Sequence, residues 1–413
     1  MKKFYGILIL VILCLSVVSF FAFTVNAQQG GSWAMFHGDL AHTGYTSESG
    51  PKTNQTLWVF TTNGRIWSSP AVSNGVVYIA SFDHKVYAVN AEDGTQIWNF
   101  STGGTIYCSP AVANNLVYIG SDDHKIYALN AQTGALVWNY TTGDRVEGSP
   151  TVSAGIVYIG SNDNNLYALN ATDGSVIWFL TTGNDVISTP AISNNILYVG
   201  SYDHKIYALN ALTGAEKWNF TAGSVIESSP VIAEGNLYVG CYDNKTYALN
   251  AETGALVWTA LTGYDLCVEA SPGFANGLLY TGGSFDDHVY ALDPATGATK
   301  WSYPTGGGIL SAPTIAGNVV YVTSYDNKSY ALNAQTGAFL WSFQTGGLVY
   351  SSPAVVNGVE YFGSYDHNLY AVGQATGSTS SNTGIPTIVY YAIAVVVLVV
   401  IIAAAVVVLR KRK

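Results

Sequence analysis

Four Asp-His pairs recur along this chain, Asp83-His84, Asp123-His124, Asp203-His204 and Asp366-His367, with Asp163, Asp243, Asp286 and Asp326 at the equivalent places. A carboxylate beside an imidazole can ligate zinc. Each pair, however, falls in a different repeat and brings at most two ligands where a structural zinc takes four. These aspartates fit tight turns better, bonding their own backbone two residues on. No metal is expected.

A second set varies where its surroundings do not. Three residues before a recurring Ser-Pro, Thr-Pro or Ala-Pro step stand Trp67, Tyr107, Glu147, Ile187, Glu227, Glu269, Leu310 and Tyr350. Read around a closed ring, Tyr350, Trp67 and Tyr107 are neighbours, and Glu147, Glu227 and Glu269 fill three of the next four places. One arc is aromatic and the facing arc acidic. Asp144, Asp185 and Asp265 lie in the same loops, with Arg65 and Arg145 as their only cations. Aromatic faces opposite carboxylates suit a sugar, a cationic group or a peptide carrying Lys or Arg; the plainer alternative is a solvated loop face with ordinary turn acids. The sequence holds no nucleophile elbow, phosphate loop or Ser-His-Asp arrangement, so catalytic residues are not expected.

The elements that must hold these residues follow from one repeated unit, Ser109 to Gly148 (SPAVANNLVYIGSDDHKIYALNAQTGALVWNYTTGDRVEG), which recurs eight times. Its prolines are Pro70, Pro110, Pro150, Pro190, Pro230, Pro272, Pro313 and Pro353. A repeat of about forty residues means a stacked or radial array. Within a unit, Leu116 to Ile119, Lys125 to Leu129 and Leu136 to Tyr140 read as strands, and a shorter inner strand is expected to start at Pro110. Asn114-Asn115 and Gly134 supply turns with positive φ. Apolar residues on both faces, as in Leu116-Val117-Tyr118-Ile119, require each small sheet to be covered on two sides, which neighbouring propeller blades provide.

Tryptophans predict how the ring closes. Trp98, Trp138, Trp178, Trp218, Trp258, Trp301 and Trp341 each follow a Gly by four residues, whereas Gly377 in the eighth copy has no Trp after it. Trp58, in Gln55-Thr56-Leu57-Trp58-Val59-Phe60, precedes the first copy. Its strand is expected to complete the last blade. The fold class predicted is all-β: an eight-bladed β-propeller of four-stranded blades closed by the N-terminal strand, followed by one C-terminal transmembrane helix.

The run Ala128-Leu129-Asn130-Ala131-Gln132-Thr133-Gly134-Ala135-Leu136-Val137-Trp138 resembles the repeat of the pyrroloquinoline-quinone-like propellers, a family that includes quinoprotein dehydrogenases and the propeller lipoprotein of outer-membrane assembly. The resemblance spans residues 33–377. The family's usual Asp is Asn here at Asn90, Asn130, Asn170, Asn210, Asn250 and Asn333, but not at Asp293. The assembly branch implies a scaffold without a cofactor. The dehydrogenase branch would imply pyrroloquinoline quinone and calcium, but its members carry long insertions and a vicinal disulfide, and this chain has short loops throughout and no Cys-Cys pair. The stretch Trp33 to Gly44 resembles the lead-in of such propellers and is expected to pack across the ring.

Composition and ends set the context. Of 413 residues only 10% are charged, with a net charge of −10, which argues against nucleic acid as a partner. Residues 1–27 read as a signal peptide, residues 28–54 as the lead-in, 55–377 as the propeller and 378–386 as a Gly/Ser/Thr linker. Residues 387–409 read as the transmembrane helix, since about 20 apolar residues span a bilayer. Arg410-Lys411-Arg412-Lys413 would then be cytoplasmic and the propeller extracellular. Such a protein belongs to the cell membrane, single-pass, with a protein or glycan partner outside the cell. A purely structural surface-layer role is the third alternative. Cys108, Cys241 and Cys267 make an odd set, Cys241 replacing the usual Ser or Thr. Sequons at Asn54, Asn99, Asn139, Asn170, Asn219, Asn244 and Asn327 would carry glycans in a host that glycosylates.

Overall fold

Each repeat folds as an antiparallel meander. In blade 2 the strands are Ala111–Ala113, Leu116–Ser121, Lys125–Asn130 and Leu136–Thr141. The inner strand begins one residue after Pro110, not at it, because a ring nitrogen without N–H contributes nothing to the ladder. Asn114 and Asn115, at φ 51° and 62°, turn the first hairpin. The fourth strand bulges between Leu136 and Trp138, which leaves Leu136 and Val137 exposed and buries Trp138.

This computed structural model describes residues 31–263 and 268–374. Among them the strands form eight sheets, whose inner strands start at Ala71, Ala111, Thr151, Ala191, Val231, Gly273, Thr314 and Ala354. No described segment is a helix. The signal peptide, linker, transmembrane helix and basic tail read from the sequence, with Asp265 and Cys267, lie outside the described residues.

Blades adhere through a repeated joint. Trp138 Nε1 and Tyr118 OH both donate to Ala171 O of blade 3 at 3.0 Å. The Trp138 ring lies against Gly174, where φ is +72° and a Cβ would come within 2.6 Å of the indole. This explains the Gly that precedes each Trp by four residues: it seats the Trp of the blade before. Behind the joint, Ile126 and Ala128 of blade 2 pack against Val157, Ile159 and Leu169 of blade 3. Each large apolar side chain so buried contributes roughly 1.5–3 kcal/mol.

The ring closes with the same joint. Gln55–Thr61 pairs antiparallel with Asn368–Gly373, and Trp58 Nε1 donates to Ala91 O of blade 1 at 3.0 Å. Around the axis runs a belt of hydroxyls. Ser69 N donates to Ser109 Oγ at 2.8 Å, Ser109 N to Ser149 Oγ at 2.9 Å, and Ser352 N returns to Ser69 Oγ at 2.9 Å.

The lead-in crosses the base of the ring, as its sequence suggested. Trp33 bridges Val72, and the carbonyls of Ala34, Leu40, Ala41, Thr43 and Gly44 accept from Val112, Ile192, Ile232, Phe274 and Ile315. One short segment therefore touches the inner strands of blades 1, 2, 4, 5, 6 and 7. Tyr45–Thr46 then pairs parallel with Thr314–Ala316.

Candidate functional site

The eight divergent side chains converge. Trp67, Tyr107, Glu147, Ile187, Glu227, Glu269, Leu310 and Tyr350 all line one cavity of about 260 Å³, with Phe36 of the lead-in and the serine belt beneath them. They meet because each loop returns from an outer fourth strand to an inner first strand, which brings equivalent positions to one opening on the axis. The lead-in, which bonds to inner strands of six blades, contributes Phe36 to the lining of this cavity.

The aromatic arc is a stack. Trp67 lies 3.5 Å from Tyr350 in a stacked arrangement, and Tyr107 meets Trp67 edge-on at 5.6 Å. Arg65 does not line the cavity; its guanidinium sits 5.1 Å over Tyr365.

The acidic arc does not simply face the aromatic one. Tyr350 OH donates to Glu269 Oε2 at 2.7 Å, and Tyr202 OH donates to Glu227. Tyr242 OH lies within hydrogen-bond distance of both Glu227 and Glu269 Oε1, the latter at 2.9 Å, and its one proton bridges between them. Phenols and carboxylates thus form one hydrogen-bonded chain from blade 4 to blade 8. Burial, reinforced by Glu269, holds the Glu227 carboxyl above the usual carboxylate range. Burial and the nearby glutamates push the Tyr242 and Tyr350 phenols far up, so both stay donors at neutral pH.

On the remaining side Arg145 pairs with Glu147 at 2.9 Å, and Asn162 Nδ2 donates to Glu147 at 3.1 Å and to Asp185 at 3.4 Å. Burial and Asp144 raise the Asp185 carboxyl. Asp144 is half-exposed, 3.8 Å from His124, and does not line the cavity.

A second ring escaped the sequence reading. The residue before each turn Asp is Phe82, Asp122, Asn162, Tyr202, Tyr242, Tyr325 or Tyr365 in seven blades. Tyr202, Tyr242 and Asn162 hold the mouth glutamates, Phe82 packs 4.6 Å from Tyr107, and Tyr325 and Tyr365 flank Tyr350 at 5.3 Å and 6.3 Å. The signal was present: these positions also vary between copies, although four of the seven are Tyr, and they stand directly before an invariant Asp.

The turn aspartates are structural. Asp123 Oδ2 accepts from Gly103 N at 2.6 Å and Tyr127 OH at 2.5 Å, while Oδ1 accepts from Lys125 N at 3.2 Å. Cys108 and Cys241 are buried free thiols, pushed up to about 12 chiefly by burial. Cys108 replaces a serine: its Sγ contacts Gly120 O and N as Ser68 Oγ contacts Ala80 O and N. Of the sequon asparagines, Asn54, Asn99, Asn139 and Asn219 are exposed, whereas Asn170, at the end of a strand, and Asn244 and Asn327, in turns, are half-buried.

Fold and site together define a propeller of pyrroloquinoline-quinone-like repeats with a polar-aromatic mouth. The chain belongs to the family described as outer membrane protein assembly factor BamB, whose model matches residues 47–109, 101–187, 180–272 and 264–387. Among solved structures it is similar to BamB from Moraxella catarrhalis (19% identity, TM-score 0.67, covering 78% of this chain and all of that one, 100%). It is also similar to quinohemoprotein alcohol dehydrogenase from Comamonas testosteroni (17%, TM-score 0.73, covering 85% and 82%). A third similar structure is the computationally designed Ika8 protein (17%, TM-score 0.70, covering 78% and 100%). At such identities the likeness shows the fold alone. No curated protein sequence matches the chain.

Proposed function

We propose that this protein is a binding or assembly scaffold, held at the cell membrane by one C-terminal helix, whose propeller mouth engages a protein or glycan partner outside the cell. The observation that carries this reading is the convergence on one pocket of all eight side chains that stand three residues before the recurring prolines. Positions the blade itself demands are alike in all copies, so variation gathered at one opening points to recognition. The family description, an assembly factor, agrees with a scaffold.

A quinoprotein reading has less support. The quinone is a polyanion, and the pocket presents Glu147, Glu227 and Glu269 to it. The Trp67 face that could stack on a planar ring already carries Tyr350 at 3.5 Å. Among the described residues no group of three acidic, His or Cys side chains is placed to hold a metal ion. These observations favour the scaffold over a site for the quinone with its calcium.

The test is capture of partners from intact cells by crosslinking and affinity purification of the full chain, read by mass spectrometry. Trp67→Ala and Glu227→Ala are expected to reduce the captured partner at least tenfold while leaving the melting temperature within a few degrees. Undiminished capture by both variants would remove the mouth from the account.

A further inference from the structure

The hydrogen-bonding groups of the mouth cavity are not equally used. Its carboxyls have partners within the chain: Glu147 has Arg145 and the Asn162 amide, and Glu227 and Glu269 have the phenols of Tyr202, Tyr242 and Tyr350. Its hydroxyls are only half used. Ser69, Ser109, Ser149, Ser229, Ser271 and Ser352 line the cavity and are each between 5% and 8% exposed. Each accepts one backbone N–H, from Ser352, Ser69, Ser109, Thr189, Ser229 and Ala312 in turn, at 2.8–3.0 Å. A serine hydroxyl also has a proton to give. None of the six gives it to an acceptor among the described residues.

Thr189 goes further. It is 4% exposed and lines the same cavity, yet its Oγ1 forms no hydrogen bond in either role with the described residues. Tyr107, on the cavity wall, likewise has a hydroxyl that bonds none of them. Buried polar groups are ordinarily paired, so a ring of donors without acceptors around one axis is a surface made to meet something the chain does not supply.

The chemistry of that ligand follows by comparison. A cation brings no acceptors and leaves the belt empty. An anion brings them but meets Glu147, Glu227 and Glu269 in the same lining. A neutral molecule dense in oxygen avoids both faults, and a sugar is one: each of its hydroxyls accepts from the belt and keeps a proton for a carboxyl above. Its C–H faces suit the apolar surface that Tyr107, Ile187 and Leu310 give the cavity. Ordered water serves the same donors in a free protein, and a ligand that repeats its bonds displaces it at little cost. At about 260 Å³ the cavity falls below the about 300 Å³ at which sites for drug-sized ligands begin, so it takes one ring and leaves a longer chain outside.

We propose that the mouth takes the terminal ring of a neutral glycan, seated on the hydroxyl belt with its apolar face against Tyr107. This rests on the scaffold reading above and, of its two classes of partner, takes the glycan.

The experiment is calorimetric titration of the full chain in a detergent without a sugar head group. The probes are the methyl glycosides of glucose, galactose, mannose and N-acetylglucosamine, methyl disaccharides with each of these at the outer end, and acetyl-Gly-Gly-Lys-Gly-Gly-amide. At least one monosaccharide glycoside is expected to bind with a millimolar or lower Kd, and the disaccharide that ends in it at least as tightly. Because no charge is paired, affinity is expected to be the same at about 0.05 and about 0.5 M salt. Thr189→Val and Tyr107→Phe each delete only a hydroxyl without a protein partner, and each is expected to weaken binding about fivefold or more with an unchanged melting curve. Binding of the peptide and no glycoside, binding of monosaccharides with exclusion of every disaccharide, or undiminished affinity in both variants would overturn the proposal. If the Trp67 and Glu227 variants lose their captured partner while no glycoside binds, this inference fails and the scaffold reading stands. If capture is also undiminished, both fail.

Discussion

Glu360 sits where seven other blades place Val or Leu, on the second strand of blade 8, with no exposure at all. Its Oε1 accepts from Ser329 Oγ of blade 7 at 2.5 Å, and its Oε2 has no donor. Burial pushes its carboxyl up to about 8, so the folded chain keeps a proton that the unfolded chain releases near 4.5. Stability from this group is therefore greatest in acid and falls as pH rises from about 4.5 to about 8. His37 and His42 act in the opposite sense. Burial depresses them to about 4 and about 3, so the unfolded chain takes up protons first and stability falls as pH drops below 6.5. Thermal melts at pH 5, 7 and 9 should show Glu360→Gln flattening the alkaline limb, with a gain of about 3 °C or more at pH 9 and little change at pH 5. Parallel curves for wild type and variant would mean that Glu360 imposes no such cost.

Strands, turns and their register were legible from the sequence because repetition exposes them. Asn114-Asn115 had to turn, Gly134 had to take positive φ, and the lone Trp58 had to find the blade that lacked its own. Side-chain meetings across the axis were not legible. Nothing in the spacing of Tyr350 and Glu269, two blades apart, announces that they share a hydrogen bond, since periodicity fixes a position in a blade but not the reach of a side chain. The same holds for Asn162, whose role depends on Glu147 and Asp185 together. The closing strand carries a prediction of its own. Trp58→Ala removes the indole that joins blade 8 to blade 1, and a buried aromatic truncation costs about 3–5 kcal/mol. Denaturant unfolding should register that loss, and hydrogen exchange should show the Asn368–Gly373 amides losing protection ahead of those in blade 4. Unchanged protection at Asn368–Gly373 would show that the ring does not depend on this joint.

The molecule as a whole separates architecture from purpose by position. Trp-Gly seats, turn aspartates and the serine belt repeat around the ring and build it; the divergent residues gather at one end, over a base crossed by the lead-in. A propeller without a function of its own would have no reason to concentrate its variation there. The exposed apolar pairs of the outer strands, such as Leu136 and Val137, are the competing surface. Site-specific photo-crosslinking distinguishes the two. With a photoreactive residue at Ile187 in the mouth or at Val137 on the outer edge of the full chain in living cells, the partner is expected to attach from position 187 and not from 137. Attachment from Val137 with none from Ile187 would contradict the claim that the mouth is where this protein meets its partner.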